Sequence, residues 1–492
     1  MEAHRNSAAL VMKSSVTAPD LDINDLLGSA RSASITPKNI ASDLGSTVML
    51  PPARCFKGRL LADQNIFSSN GTCLAKMGQV LDVSSAELMA EKKMEENPLN
   101  LDQSKVGLKT KRLLADFQCL IKKAPGFERF VDSNGGTSRW QKTLAELLPV
   151  YDDGLVYLAH LRDYSAGSYE QSLFCSWLGG VLAQSMQLSQ DKVKYSVMAG
   201  LFHQLGRLHL PEALRFIAEN HCESEQWNDF QYHVIYGKLL VKKAGDVSLQ
   251  AVTEIIAQQG EYANSLGYPF SLKLSELHKE SMLLSLSRDL YQFLFVDGGT
   301  LPDCLLFLQL HEARFGQEAS WAMQRKIKLF QSECNDDAIS ACLYSEEMAD
   351  YLIETSIVLA QLHASTSLII QPIRRGLKNT DKAYLAAHLL NLLHQIDDYK
   401  NNSGIVDIEL VAGIDFMKHE EAETLNGEIY QIIQRQRGLL TLFAEVDFLV
   451  ENALKSLEAS SKQEVLLDVK NLYDLIHDAL EPFKSAVKNG AC

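Results

Sequence analysis

Helical periodicity runs almost without a break through the sequence from about residue 137 onward. In the stretch EQSLFCSWLGGVLAQSMQLSQDKVKYSVMAGLFHQLG, residues 170–206, apolar side chains recur at i, i+3 and i+4. This spacing places apolar side chains on one face of an α-helix. Similar segments continue after residue 300, for example AYLAAHLLNLLHQIDDY at residues 383–399. The pattern predicts a mainly α-helical protein whose residues 301–492 form a helical bundle.

A small β unit is predicted ahead of the helical part. Short apolar runs alternate with turn residues from residue 47, and Asn70-Gly71 lies between two of these runs. Both residues tolerate positive φ, which favours a hairpin. A basic amphipathic segment follows, and we expect it to be a solvated linker helix. The predicted organisation is a loose leader at 1–44, a small β-containing N-terminal module at 45–100, a linker helix at 101–135, an all-helical domain at 136–300 and a C-terminal helical domain at 301–492.

Composition and charge argue against several classes of function. The chain has 492 residues, enough for two or three domains, and a formal net charge of -15. That charge argues against binding to DNA or to an anionic membrane surface, because both recruit positive patches. The nine cysteines form no CxxC pair, and the sequence has no long unbroken apolar run. We therefore expect reduced thiols, a cytoplasmic location and no membrane span.

Four motifs follow one another between residues 171 and 300. They are LSQDKVKYSVMAGLFHQLGRLHLP, FQYHVIYGKLL, EIIAQQGEYANSLGYP and MLLSLSRDLYQFL. Their order and spacing resemble the HD-GYP family, bacterial members of the HD superfamily that hydrolyse the second messenger cyclic di-GMP. The most specific element is the triplet Gly267-Tyr268-Pro269, at the expected distance after the histidine region. The resemblance implies an HD-type helical domain over residues 136–300.

The resemblance also implies where metal ligands would lie. Family members bind two or three metal ions, usually iron or manganese, through His, Asp and Glu side chains. Only His203 and His233 keep a ligand at the core positions. The other core positions carry residues without a negative charge, namely Gln171, Gln204, Gln259, Gly260 and Arg288. Two neighbouring dications need carboxylate charge to offset their repulsion, so we expect a degenerate HD-GYP domain without a metal cofactor.

The catalytic positions of the family survive only as remnants, at His203, Gln204 and Arg207. Arg207 replaces the lysine that contacts phosphate in the family, and it keeps the positive charge. Together with Arg288 it offers a site for a phosphate diester, because guanidinium groups pair bidentately with phosphate. The alternative is that each arginine pairs with a nearby carboxylate.

Two interpretations of the triplet Gly267-Tyr268-Pro269 stay open. In the family this loop is associated with contacts to diguanylate cyclase domains, which implies a retained surface for other signalling proteins. The alternative is a turn that packs its aromatic ring on the domain. The helical stripes also leave a homo-oligomer open.

Three functional hypotheses result. The first is a non-catalytic signalling or regulatory protein that acts by protein interaction or by sensing cyclic di-GMP. The second is an active metal-dependent cyclic di-GMP phosphodiesterase that holds iron or manganese through unusual ligands such as Glu261, Asp289 or Glu170. The third is a metal-free adaptor similar to the HDOD group. Turnover separates the second hypothesis from the others, and nucleotide binding separates the first from the third.

Overall fold

The chain folds into a helical protein with one small sheet. The computed structural model describes residues 59–67, 71–99, 101–102, 106–215, 226–244, 250–334, 346–378, 383–403, 422–459 and 463–489. The predicted leader at 1–44 and the predicted turn residue Asn70 lie outside the described residues. The strands are β1 (Ile66–Phe67) and β2 (Cys73–Ala75). The fold confirms the prediction of a mainly α-helical protein with a small β unit in front of the helical domain.

Eighteen α-helices lie in the described part of the chain. The first eleven are α1 (Val83–Glu96), α2 (Thr110–Ile121), α3 (Phe127–Ser133), α4 (Ser138–Leu147), α5 (Asp152–Tyr164), α6 (Ala166–Ser185), α7 (Gln190–Phe202), α8 (Glu212–Arg215), α9 (Trp227–Ala244), α10 (Gln250–Ala257) and α11 (Lys279–Tyr291). The others are α12 (Asp303–Leu310), α13 (Glu312–Phe315), α14 (Gln317–Cys334), α15 (Glu346–Leu377), α16 (Ala383–Ser403), α17 (Ala422–Ala459) and α18 (Gln463–Asn489).

Helix α6 is the central helix of the domain that carries the four motifs. Its residues are apolar or small at almost every position, and most of them are buried. A helix without a charged face is stable only when other elements surround it, and α5, α7 and α11 pack against α6. The side chain of Ser165 caps the helix by accepting a hydrogen bond from the backbone N–H of Ser168. This packing brings Gln171 on α6, His203 after α7 and Arg288 on α11 into one interior.

The segment predicted to be a solvated linker packs on this core. The buried ring of Phe117 on α2 lies 5.0 Å from Trp140 and 5.6 Å from Trp177, measured between ring centroids. Phe127 on α3 lies 5.6 Å from Phe174 of α6. The basic residues that the structure describes in this segment are exposed. The structure differs from the prediction because the apolar face of the segment is large enough to join the core of the helical domain.

The N-terminal module contains two paired strands and docks on the helical domain. Strands β1 and β2 pair antiparallel, with Ile66 opposite Ala75. The side chain of Asn228 on α9 binds the backbone of Leu61 twice. It accepts the Leu61 N–H at 2.7 Å and donates to the Leu61 carbonyl at 3.0 Å. Helix α1 also packs against α9, so the module and the helical domain share an interface.

Helices α15, α16, α17 and α18 form the C-terminal bundle, and α12 packs against α17. One described segment, Thr355–Leu377 within α15, is long and apolar enough to cross a membrane by length and composition. The same helix packs against α16, α17 and α18. A core helix of a bundle passes the same test, so the segment is weak evidence for a membrane span.

Candidate functional site

His203 lies at the centre of the candidate site, directly after α7, and is fully buried. Its Nδ1 lies 2.8 Å from the carbonyl of Gly200, which can only accept, so Nδ1 carries the proton. Its Nε2 lies 3.1 Å from the Nε2 of Gln204 and accepts from that amide. Burial, and then the positive charge of Arg288, hold the pKa of His203 well below its usual value. The ring is therefore neutral and both of its nitrogens are engaged.

Gln204 links three elements of the domain through its side-chain amide. Its Nε2 donates to the Oε1 of Gln171 on α6 at 2.6 Å. Its Oε1 accepts from the Nε of Arg207 at 2.6 Å. The guanidinium of Arg207 also lies over the ring of Phe230, with its Cζ 5.1 Å from the ring centroid. Arg207 is consequently buried in the domain, with its charge next to an amide and an aromatic ring.

Arg288 brings a second guanidinium into the site. Its side chain is 2% exposed, so it lies deeper than Arg207. Its Nη1 donates to the backbone carbonyl of Gln259, and its Nη2 donates to the hydroxyl of Tyr268 at 3.1 Å. The backbone carbonyl of Arg288 accepts from the Nε2 of Gln171 at 3.3 Å. The buried cation therefore joins α11 to the motif that contains Gln259 and Tyr268.

Tyr268 fills the space beside Gly260. A Cβ added at Gly260 would lie 2.6 Å from the Cζ of Tyr268, which real side chains do not tolerate. The Tyr268 ring is 4% exposed, and the ring of Trp227 contacts it edge-on at a centroid distance of 4.9 Å. The aromatic ring of the triplet thus occupies the interior, where the resemblance places a ligand histidine at position 260.

The rest of the triplet is also enclosed. A Cβ at Gly267 would lie 2.4 Å from the Cα of Glu261, so the loop backbone needs glycine at this close approach. The Tyr268–Pro269 peptide bond is cis. The carbonyl of Pro269 accepts from the backbone N–H of Leu60 in the N-terminal module at 3.1 Å. All three residues of the triplet are buried, as expected for a turn that packs on the domain. The N-terminal module contacts the triplet through the hydrogen bond to Pro269.

His233 lies on α9 and is fully buried. Its Nδ1 donates to the carbonyl of Phe230 at 2.7 Å. Its ring lies 6.2 Å from the ring of Tyr268 between centroids. The two retained histidines thus both direct Nδ1 to a backbone carbonyl one helical turn earlier, and His233 packs beside the aromatic ring of the triplet.

Glu261, an alternative ligand in the sequence, holds the loop after the triplet. Its Oε1 accepts from the backbone N–H of Phe270 at 2.7 Å, and its Oε2 accepts from the backbone N–H of Leu272 at 2.9 Å. Burial raises the pKa of Glu261 to about 7, and the backbone hydrogen bonds oppose that shift. Both oxygens are therefore used to shape the loop.

The other two alternative ligands also have partners within the protein. Asp289 is buried, and its Oδ2 accepts from the hydroxyl of Tyr262 at 3.2 Å and lies 3.9 Å from the Nη1 of Arg314. Glu170 forms an ion pair with Lys123 at 2.6 Å on a more exposed face of α6.

The residues present do not fit the metal pair that the resemblance implies. Among the described residues, no three His, Cys, Asp or Glu side chains converge to form a metal-binding group. The site holds the cation of Arg288 instead, with its charge close enough to His203 to lower the pKa of the ring. A buried positive charge opposes the entry of a dication by electrostatic repulsion.

Sequence reasoning missed two hydroxyl groups of the site. The Oγ of Ser285 lies 2.9 Å from the carbonyls of both Gln259 and Glu261. The hydroxyl of Tyr262 donates to Asp289. Ser285 precedes Arg288 by three residues on α11, and residues at this spacing share a helix face. Ser285 could therefore have been predicted from its spacing to Arg288. Nothing in the sequence indicated a role for Tyr262.

The helical core around His203 and its neighbours defines an HD-type domain. Residues 159–294 match the family model described as the HD domain. Residues 159–294 are therefore identified as an HD-type domain.

One curated relative is a cyclic di-GMP phosphodiesterase from Thermotoga maritima. The two sequences are 22% identical over 154 residues, which is 30% of this chain and 41% of the relative. The chain thus spans less than half the length of that relative. No solved structure gave a significant match to the chain. The comparisons show an HD domain and a similarity to a cyclic di-GMP phosphodiesterase.

Proposed function

We propose that residues 136–300 form a degenerate, metal-free HD domain that serves in signalling without catalysis. In this proposal the domain acts by contact with other signalling proteins or by sensing cyclic di-GMP. The proposal includes a cytoplasmic location, which rests on the charge and cysteine pattern of the sequence.

The buried guanidinium of Arg288 is the observation that carries the proposal. The resemblance places a metal-binding aspartate at this position, so the substitution changes the local charge from negative to positive. A guanidinium stays protonated at any physiological pH, and the charge therefore cannot be lost to make room for a metal ion. The amides of Gln171, Gln204 and Gln259 supply dipoles and no net charge.

Arg288 also supplies a structural link that does not depend on metal. It ties α11 to the backbone of Gln259 and to the hydroxyl of Tyr268. Gln204 adds links to Gln171 and Arg207. Hydrogen bonds that join several helices at one point hold the framework in shape, and a framework that keeps its shape can present a surface to a partner.

The loop before the triplet is the surface we assign to protein contact. Residues 263–266 are partly exposed, whereas the triplet itself is buried. Ser265 in this loop has a positive φ of 60°. A partner such as a diguanylate cyclase domain would thus contact residues 263–266. The buried ring of Tyr268 would hold this loop in position.

A turnover assay on the full chain tests the proposal. The protein is incubated at micromolar concentration with cyclic di-GMP and added manganese for several hours, and the products are separated by chromatography. We expect no linear dinucleotide above the level given by the His203→Ala variant. Manganese-dependent product that disappears in His203→Ala would contradict the proposal.

Phosphodiester hydrolysis is the second candidate function, favoured by the similarity to the Thermotoga maritima phosphodiesterase. It would require Glu261, Asp289 or Glu170 to exchange present contacts for a metal ion, because Glu261 binds loop amides, Asp289 accepts from Tyr262 and Glu170 pairs with Lys123. The same assay decides between the two functions. Calorimetry of the full chain with cyclic di-GMP then separates a nucleotide sensor, which binds, from an HDOD-like adaptor, which does not.

A further inference from the structure

A cavity of about 600 Å³ lies outside the HD site, between the end of α6, the start of α11 and one face of α14. Its volume falls within the usual range for small-molecule sites. Lys279 opens α11 at the cavity, and Arg288 lies nine residues further along the same helix, about 13 Å away at 1.5 Å per residue. The cavity is therefore a separate place on the domain.

Five residues of α14 line the cavity, namely Glu318, Trp321, Gln324, Arg325 and Lys328. Their spacing of three, four and seven residues puts them on one helix face. Arg325 and Lys328 are exposed, and neither forms an ion pair with another residue that the structure describes. Lys279 is paired with Glu318 at 2.5 Å, and both line the cavity. The lining thus carries a net positive charge on a chain whose formal net charge is -15.

Trp321 gives the cavity a flat aromatic wall. Its side chain is 51% exposed, whereas Trp140, Trp177 and Trp227 are 5%, 1% and 4% exposed. An indole ring left open beside two cations offers a stacking surface for a planar ring whose substituent is an anion.

Gln324 adds an unsatisfied polar group to the lining. It is 8% exposed, and its Nε2 has no hydrogen-bond partner among the described residues. A buried amide without a partner is unfavourable. A polar ligand atom in the cavity would relieve this after a rotation of the amide.

We propose that this cavity binds a small anionic ligand with a flat ring, of the nucleoside monophosphate class. The ring stacks on Trp321, the phosphate lies between Arg325 and Lys328, and Gln324 meets a polar edge of the ligand. The proposal does not depend on the function of the HD site, because no residue of the His203 network lines the cavity.

Tryptophan fluorescence of the full chain tests the site, since Trp321 is the exposed member of the four tryptophans. Three probes are compared. GMP carries both the ring and the negative charge, guanosine carries the ring without the charge, and inorganic phosphate carries the charge without the ring. We expect saturable quenching by GMP that is absent in Trp321→Phe. Guanosine and phosphate should bind more weakly than GMP.

Charge variants complete the test by calorimetry with GMP. Arg325→Gln and Lys328→Gln should each weaken binding about fivefold, the equivalent of ~1 kcal/mol. Lys326→Gln, on the same helix but outside the lining, is the matched control and should bind as the unchanged protein does. Absence of saturable GMP binding would overturn the proposal. Equal affinity for phosphate and GMP, or equal weakening in Lys326→Gln, would overturn it as well.

Discussion

Arg288 and Tyr268 meet inside the HD domain, where the Nη2 of Arg288 donates to the hydroxyl of Tyr268 at 3.1 Å. The resemblance to the HD-GYP family places a metal-binding aspartate at the position of this arginine. The tyrosine fills space that Gly260 leaves open. This contact thus joins the positive charge at residue 288 to the aromatic ring that packs beside residue 260. Variants at residues 288 and 260 separate the effect of the charge from the effect of the packing.

Removing the Arg288 side chain is expected to destabilise the domain. Arg288→Ala leaves a cavity and removes one hydrogen bond from the carbonyl of Gln259 and one from the hydroxyl of Tyr268, so we expect a loss of about 3 kcal/mol in the free energy of unfolding. Urea denaturation measures this. Arg325→Ala, which removes an exposed arginine, should change the value by less than about 0.5 kcal/mol. Equal stability of Arg288→Ala and the unchanged protein would speak against a structural role for the guanidinium.

A methyl group at residue 260 tests the shape of the site. Gly260→Ala places Cβ 2.6 Å from the Tyr268 ring, and we expect a destabilisation of roughly 1–3 kcal/mol. Gly167→Ala is the matched control, because an added Cβ at Gly167 meets nothing within 4 Å.

The double variant Gly260→Ala/Tyr268→Ala extends this test. It should lose less stability than the sum of its two single variants, since the clash disappears with the ring. Thermal unfolding followed by circular dichroism reports all three values. Strict additivity would show that residue 260 and the ring do not interact.

The stability of the protein should depend on pH through Glu261. Its pKa in the folded state is about 7, above the ordinary value of 4.5. Between these values the folded state binds more protons than the unfolded state, so stability falls as pH rises from 4.5 to 7, by about 3 kcal/mol in total. Below 4.5 the contribution of the protonated form is fully present.

Glu261→Gln removes this titrating group and should flatten the decrease over the same range of pH. Denaturant unfolding at several pH values gives the two slopes. Glu91→Gln, a change at an exposed carboxyl on α1, is the control. Parallel curves for Glu261→Gln and the unchanged protein would contradict the prediction.

The side chain of Asn228 is expected to hold the N-terminal module on the triplet. Asn228→Ala removes two hydrogen bonds to Leu61, which together contribute on the order of 1–2 kcal/mol. Hydrogen exchange should then accelerate in residues 59–62, including the Leu60 N–H that donates to the Pro269 carbonyl, with little change in α6. Asn452→Ala, a change in the C-terminal bundle, should leave exchange in these residues unaltered. Unchanged exchange in Asn228→Ala would place the anchor of the module elsewhere.

Local spacing predicted the helices and the order of the motifs, but not the network between them. The repeat of apolar residues identified α6 and α7, because helix faces are set by near neighbours. The contacts of Gln171 join residues 33 and 117 positions away in the chain, and a single sequence does not show such pairs. Gly260 and Tyr268 lie close in sequence, yet the inward direction of the ring depends on the loop geometry. The segment at 101–135 was predicted to be solvated because its basic residues are evident in the sequence. The sequence does not show which helices its apolar face packs against.

Metal content tests the central claim most directly. The full chain is purified without chelator, then analysed for iron, manganese and zinc by inductively coupled plasma mass spectrometry, with protein concentration measured on the same sample. Because Arg288 supplies the positive charge at the site, we predict metal far below one ion per chain. Two metal ions per chain at full occupancy, lost in His203→Ala, would contradict the account.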